Sequence, residues 1–172
     1  MNTEDGRQLV VISPFANERI RDWHYGHFRR FIELALRDGK SRVVVVGTRA
    51  QRARANEIVR SFSAADVTNA CGQMSWNELV AAIDSAAYVV ANNSGVAHLA
   101  SSRQRWTLCL FASSHSYIEW MPRGPRTVVV SRATACAPCE IGGDRCPNGR
   151  ACMMGLEPDK AFEFFHEHYR VQ

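Results

Sequence analysis

Two short segments of this 172-residue sequence carry residue types at spacings that could do chemistry. The first is 89–100, VVANNSGVAHLA, in which an apolar strand passes through a polar turn into a short helix. Ser94 can cap the first turn of that helix, and Gly95 lets a ligand approach the backbone. His98, one turn further on the same face, could donate to a phosphate or to a leaving group. Because the free N–H groups of a first helical turn attract anions, the segment predicts a phosphate-type site, although an ordinary capped helix would show the same local pattern.

The second segment is a run of cysteines before the last predicted helix. Four of the six cysteines of the chain fall in it, at Cys136, Cys139, Cys146 and Cys152. The first pair has the Cys-x2-Cys spacing of a structural metal site, and four thiolates can close a tetrahedral site for zinc or for iron. A closed site of that kind leaves no position for substrate, so its role would be structural. The alternative is four reduced cysteines without a metal in a loop.

The bulk composition narrows the class of protein. With 46% hydrophobic and 22% charged residues, the chain is predicted to be globular, and its apolar runs are too short to span a bilayer. The polar start MNTEDGRQ does not resemble a signal peptide, so we expect a protein of the cytoplasm or of the inner face of the inner membrane. Arginine supplies nearly all of the positive charge. This indicates phosphate binding or compositional bias, and no basic run interleaved with aromatic residues supports nucleic-acid binding.

Apolar strands and amphipathic helices alternate along the chain. The predicted strands are 9–13, 42–47, 65–72, 87–92, 106–112 and 126–131, and the predicted helices are 24–39, 50–62, 75–86, 95–102 and 158–169. Ser75 and Glu78 have the spacing of a capping box at the start of one helix. Strands without polar alternation are buried on both faces, which predicts an α/β fold with a Rossmann-like parallel sheet and helices on both sides. We expect one domain over 1–172, with a Cys-rich loop at about 131–155 and a closing helix at about 158–169.

Five segments, in order, resemble the motifs of glycosyltransferase family 9, the ADP-heptose:lipopolysaccharide heptosyltransferases. The segments are 12–28 (ISPFANERIRDWHYGHF), 43–58 (VVVVGTRAQRARANEI), 70–102 (ACGQMSWNELVAAIDSAAYVVANNSGVAHLASS), 110–125 (LFASSHSYIEWMPRGP) and 136–153 (CAPCEIGGDRCPNGRACM). The third contains a counterpart of the family's Asp-Ser/Thr-Gly-x-x-His element. Each motif is modest alone, but the five in order cover about residues 8–168.

The resemblance implies a fold and a division of labour. Members of the family have two Rossmann-like halves in the GT-B arrangement. The C-terminal half binds the nucleotide sugar, and the N-terminal half binds the acceptor and supplies a carboxylate base. This chain looks like the C-terminal half alone, so the resemblance implies a separate N-terminal-half protein or domain as partner. The face that would meet that half also predicts self-association.

The resemblance also implies a set of nucleotide-sugar-binding residues. They are Arg21, Gln51, Met74, Ser75, Asn93, Ser94, Gly95 and His98. Three depart from the family's pattern, because Asn93 stands for its Asp, Arg21 for its Lys and Gln51 for its Glu. An amide carries no charge, so it forms weaker hydrogen bonds with ribose hydroxyls than a carboxylate does. The cysteine segment is similar to the iron-holding cysteine finger of some family members that modify autotransporters.

Three functions are consistent with these features. The first is the donor-binding half of a heptosyltransferase-like glycosyltransferase, which binds a nucleotide-diphosphate sugar such as ADP-heptose for transfer to a lipopolysaccharide or protein acceptor. In that case His98 could assist the leaving group, and no other residue of the chain is predicted to be catalytic. The second is a non-catalytic nucleotide-sugar-binding or assembly module, which the changes at Asn93 and Gln51 favour. The third is a nucleic-acid binder held together by metal, which the arginine content and the four-cysteine loop allow.

Overall fold

The computed structural model of the protein describes residues 6–114, 116–139, 141 and 145–170. Six parallel strands form one sheet in the order β3-β2-β1-β4-β5-β6. The strands are β1 (Gln8–Ser13), β2 (Ser41–Val45), β3 (Val67–Asn69), β4 (Tyr88–Asn92), β5 (Thr107–Phe111) and β6 (Thr127–Ser131). The helices are α1 (Tyr25–Leu36), α2 (Arg52–Val59), α3 (Trp76–Ser85), α4 (Gly95–Ser102), α5 (Tyr117–Trp120), α6 (Ala151–Met154) and α7 (Pro158–Arg170).

Helices cover both faces of the sheet, as the apolar strands require. Along β1, Val10 and Ile12 belong to the cluster formed with α1, α2 and α7, whereas Val11 belongs to the cluster formed with α3 and α4. Successive side chains of a strand point to opposite faces, so one strand contributes to two cores. The predicted parallel α/β sheet with helices on both sides is confirmed.

The predicted elements lie within a few residues of the observed ones, and α4 has the predicted bounds. Two one-turn helices, α5 and α6, and two 3-10 turns at Arg19–Arg21 and Arg49–Gln51 are not predicted by the sequence pattern. A single turn is too short to show the helical repeat on which such a prediction depends. Within the described ranges, no helix has the length and apolar character needed to cross a membrane.

The centre of the sheet creates a crevice. Strands β1 and β4 are neighbours, but the helices that follow them pack on opposite faces. The loops after the two strands therefore diverge, and ligands of open parallel sheets bind in such crevices at the carboxyl ends of the strands.

Candidate functional site

A cleft of about 500 Å³ opens at this switch point, at the carboxyl edge of the sheet. Four strand-to-helix connections form it, those that follow β1, β2, β3 and β4. Its lining residues are Ser13, Phe15, Asn17, Val46, Gly47, Thr48, Arg49, Gln51, Ala70, Gly72, Met74, Trp76, Leu79, Ser94, Gly95, Val96 and Leu99. Of the eight predicted binding residues, the structure brings Gln51, Met74, Ser94 and Gly95 together here.

The start of α4 forms a polar part of the cleft. Ser94 precedes the helix, but its hydroxyl does not cap the first turn as the sequence predicted. The Ser94 Oγ is buried and has no hydrogen-bond partner within the described part of the chain. A buried hydroxyl without a partner is costly, so a ligand or a water molecule should satisfy it. A Cβ added at Gly95 would meet no atom within 4 Å, which leaves the backbone there open to a ligand.

The loop after β1 is held in place by buried polar groups. Asn92 is fully buried, its Nδ2 donates to the Pro14 carbonyl at 2.6 Å, and its Oδ1 accepts from the Trp23 backbone N–H at 3.1 Å. Asp22 Oδ1 accepts from the Ala16 N–H at 2.7 Å. These bonds tie the loop to the end of β4, so the wall of the cleft that contains Phe15 is fixed before a ligand arrives.

The connection after β2 supplies the charge of the cleft. Gln51 Oε1 accepts from the Thr48 backbone N–H at 2.8 Å, which orients the amide, and its second lone pair and NH₂ group remain for a ligand. Arg49, in the same 3-10 turn, is exposed at the cleft. Of the described lining residues, Arg49 alone carries a charge, and none is an aspartate, a glutamate or a histidine. The cleft therefore suits an anion and offers no general base.

Apolar side chains from α3 and α4, with the residues just before α3, form another part of the cleft. They are Met74, Trp76, Leu79, Val96 and Leu99. Trp76 is 66% exposed although it lines the cleft, so most of its ring is open to solvent or a ligand. Neither Trp76 nor Arg49 is among the binding residues predicted from the sequence. The rule that ligands bind after the strands of such a sheet points to the loops after β2 and β3 as well as to the loop after β4, and could have found them.

The other four predicted binding residues do not line this cleft. The Arg21 side chain is only 14% exposed and lies beside Glu18, with 3.9 Å between Nε and Oε2. Ser75 caps α3 in the predicted capping box, accepting from the Glu78 N–H at 3.3 Å. Asn93 is buried, and its N–H donates to the Leu110 carbonyl. His98 is exposed on α4.

The four predicted metal ligands are all partly buried, and they are not gathered into a site. The Cys136 Sγ contacts the Thr134 hydroxyl at 3.5 Å, and hydrogen bonds from Thr134 and Asn148 hold the pKa of Cys136 below its usual range. The Cys152 side chain packs against the main core. No group of three or more histidine, cysteine, aspartate or glutamate side chains that could hold a metal occurs among residues 6–114, 116–139, 141 and 145–170. Residues 140 and 142–144 of this loop lie outside the described residues.

Comparison with known proteins gives the context of the cleft. The family model of glycosyltransferase family 9 (heptosyltransferase) matches residues 2–148. Lipopolysaccharide heptosyltransferase 3 of Escherichia coli is 29% identical over 118 residues, which are 68% of this chain and 34% of that protein. The chain therefore spans about a third of the length of this curated relative.

Solved structures show the same fold at low sequence identity. The E. coli ADP-heptose lipopolysaccharide heptosyltransferase II matches with a TM-score of 0.82 at 19% identity, over 97% of this chain and 48% of that one. The iron-containing dodecameric glycosyltransferase TibC of enterotoxigenic E. coli matches with a TM-score of 0.72 at 14% identity, over 96% of this chain and 47% of that one. This chain spans about half the length of each.

Proposed function

Since this chain belongs to glycosyltransferase family 9, we propose that it is the donor-binding half of a heptosyltransferase-like glycosyltransferase and that its cleft binds a nucleotide-diphosphate sugar, ADP-heptose in the first instance. One observation carries this proposal: the buried Ser94 hydroxyl, which has no hydrogen-bond partner among the described residues, lies at the start of α4 in a cleft whose described lining has no acidic residue. A relative whose name specifies ADP-heptose has the same fold.

The diphosphate is assigned to the start of α4 and to Arg49. The Ser94 hydroxyl and the N–H groups of the first helical turn donate to phosphate oxygens, and the helix dipole favours their negative charge. Arg49 adds a full positive charge at the same cleft. Groups fixed in this way would stabilise the charge that develops on the leaving diphosphate during transfer. The nucleoside is assigned to the apolar surface around Met74 and Trp76.

The acceptor and the catalytic base belong to the other half that the family resemblance implies. We propose that this half is a separate chain or domain and that the acceptor is a lipopolysaccharide or a protein. A second candidate function is a non-catalytic nucleotide-sugar-binding module. The absence of any carboxylate or histidine from the described cleft lining favours it.

Two serines that precede helices provide a matched test of the binding site. Ser94→Ala removes a hydroxyl without a protein partner, so we expect no loss of stability but about a 10- to 100-fold loss of ADP affinity, the effect of one hydrogen bond to a charged group. Ser75→Ala removes a real cap, so it should cost about 1 kcal/mol of stability and leave ADP binding unchanged. Calorimetric titration with ADP, with UDP and GDP as comparisons, and urea unfolding measure both quantities.

Gly95→Ala is a second variant that should affect ligand binding and stability in opposite directions. The new methyl group meets no protein atom and replaces a glycine in a helix, which should raise stability by up to about 1 kcal/mol. It also projects from the first turn of α4, where it should hinder a phosphate and weaken ADP binding. If the wild-type chain binds no nucleotide, or if both serine variants bind ADP equally well, the assignment of the cleft is wrong. ADP binding without sugar transfer, even when the missing half is supplied, would favour the non-catalytic module.

A further inference from the structure

A second, more enclosed pocket of about 350 Å³ lies beside the nucleotide cleft, between the loop after β1 and the helices α1 and α2. Four of its lining side chains are almost completely buried: Phe15, Trp23, Phe28 and Ile58. Because these side chains are packed into the core, the apolar wall of the pocket is formed in advance. Phe15 lines both this pocket and the nucleotide cleft.

Two arginines with fixed guanidinium groups line the pocket. Arg54 pairs with the buried carboxylate of Asp22 and stacks over the Phe15 ring at 4.5 Å. Arg150 Nη1 donates to the backbone carbonyls of Arg19 and Asp22, at 3.3 and 3.2 Å. A guanidinium has five N–H donors, so each group keeps donors for a ligand. Since both are already oriented, little side-chain entropy is lost when an anion binds.

The described lining of the pocket contains two arginines, Arg54 and Arg150, and two acidic residues, and each acidic residue is paired with an arginine other than Arg150. Asp22 is compensated by Arg54, and Glu57 pairs with Arg60 at 2.9 Å, so Arg150 has no compensating acidic side chain among the described lining residues. His24 also lines the pocket, and its Nδ1 accepts from the Gly26 N–H at 3.2 Å.

The charge of Arg150 also acts on the neighbouring His24 ring. Burial, and after it the charges of Arg150 and Arg29, lower the pKa of His24. The ring is therefore neutral near pH 7, and the cations that disfavour its protonation would favour a bound anion.

We propose that this pocket binds a small organic monoanion with an aromatic or apolar body. Its carboxylate or phosphate group pairs with Arg54 and Arg150, and its body packs against Tyr25, which is 51% exposed, and against the small exposed part of Phe15. A volume near the lower end for small-molecule sites suits a ligand of about ten non-hydrogen atoms. The proposal does not depend on the nucleotide assignment. Because Phe15 borders both cavities, an occupant of this pocket contacts a residue that also shapes the nucleotide cleft.

Benzoate is the probe, and its neutral analogue benzamide is the matched control. NMR titration of the His24 imidazole, assigned with His24→Gln, should show saturable shifts with benzoate and a higher pKa of His24 in its presence. Benzamide should bind at least about tenfold more weakly, because it lacks the charge that pairs with the arginines. Arg150→Ala should weaken benzoate binding by a similar factor. Arg49→Ala, which removes the same charge from the nucleotide cleft, should change it by less than about twofold.

Three results with benzoate, and one with phosphate, would overturn the proposal. They are equal binding of benzoate and benzamide, unchanged benzoate binding in Arg150→Ala, and benzoate binding that depends on Arg49 and not on Arg150. Inorganic phosphate that competes as strongly as benzoate would also overturn it, because the apolar body would then contribute nothing. Thermal unfolding establishes that Arg150→Ala is folded. If Arg150→Ala does not fold, Arg150→Lys is tested in its place. Lysine keeps the positive charge but lacks the planar guanidinium that binds a carboxylate through two N–H groups, so this variant should still weaken benzoate binding measurably.

Discussion

Asn92 is the residue whose replacement tests most directly how the cleft is held together. Its side chain is fully buried between the loop after β1 and the end of β4, and it makes two hydrogen bonds there. Asn92→Ala would leave the Pro14 carbonyl and the Trp23 N–H buried without partners. Each such group costs about 1–3 kcal/mol, so we expect a loss of about 2–6 kcal/mol of unfolding free energy. This is a large part of the stability of an ordinary domain.

Asn92→Asp adds a dependence on pH. The new carboxylate keeps the acceptor for the Trp23 N–H but places an oxygen against the Pro14 carbonyl, which needs a donor. Burial without a compensating cation raises the pKa of the introduced carboxyl above its usual value of about 3.9 in the unfolded chain. The folded variant therefore takes up a proton before the unfolded chain does. Its deficit is complete above the raised pKa and shrinks as the pH falls through it, because the protonated carboxyl can donate to Pro14.

Urea unfolding at pH 8 and pH 5, with the wild-type chain measured at each pH, gives the two deficits. We expect Asn92→Asp to lose at least about 3 kcal/mol at pH 8 and to recover at least half of that loss at pH 5. Asn92→Ala is the control, because it introduces no titratable group and its deficit should be the same at both values. A deficit of Asn92→Asp that does not change with pH, or a loss below about 1 kcal/mol in Asn92→Ala, would refute the role given to these two bonds.

Three further predictions concern other parts of the chain. Trp76 is 66% exposed, so Trp76→Leu should change stability by less than about 0.5 kcal/mol. In calorimetry, the variant should bind ADP about tenfold more weakly and pyrophosphate as well as the wild-type chain does. Gly72→Ala should cost more than about 2 kcal/mol in urea unfolding, because Gly72 has a φ of +69° and an added Cβ would lie 2.5 Å from the Arg49 Cα. Burial, and after it the charge of Arg170, lower the pKa of His166 from 6.5 to about 4 against the opposing charge of Asp38, so stability should fall as the pH drops from about 6.5 to about 4. Since the ring is partly exposed, the loss that His166→Phe removes should stay below about 2 kcal/mol.

The fold could be predicted from the sequence because its signals are local and repeated. Buried parallel strands are continuous apolar runs, and the helices between them show the helical repeat over two or more turns. The capping box of Ser75 and Glu78 gave the start of α3 correctly, since both of its hydrogen bonds join residues three apart. These interactions need no knowledge of distant parts of the chain.

Four of the eight predicted binding residues do not line the cleft, because side-chain direction depends on distant contacts. Arg21 was expected to reach a phosphate, but it lies beside Glu18 in a 3-10 turn that the sequence did not show, and Arg49 lines the cleft in its place. The four cysteines have a spacing that suits a metal, yet no group of three or more ligating side chains occurs among the described residues, and Cys152 packs against the core. Spacing along the chain gives the reach of a side chain and not the direction in which it points.

Ser75 and Ser94 show how packing decides between a capped helix and an open one. Both precede a helix at the carboxyl edge of the sheet, and only Ser75 caps it. The third position of α3 is the exposed Glu78, which completes the capping box and places an acidic group in the first turn. The third position of α4 is Ala97, which is fully buried against the cluster that contains Phe111.

A glutamate at that buried position would lose its hydration without a partner, so the packing of α4 on the sheet excludes a capping box there. The first turn of α4 consequently contains no acidic residue, and its dipole remains available to an anion. The open helix start in the cleft is thus a consequence of how α4 is buried. For the same reason, a search for the anion site of a related chain should look for a small apolar residue three positions after the serine, and not only for the serine and glycine themselves.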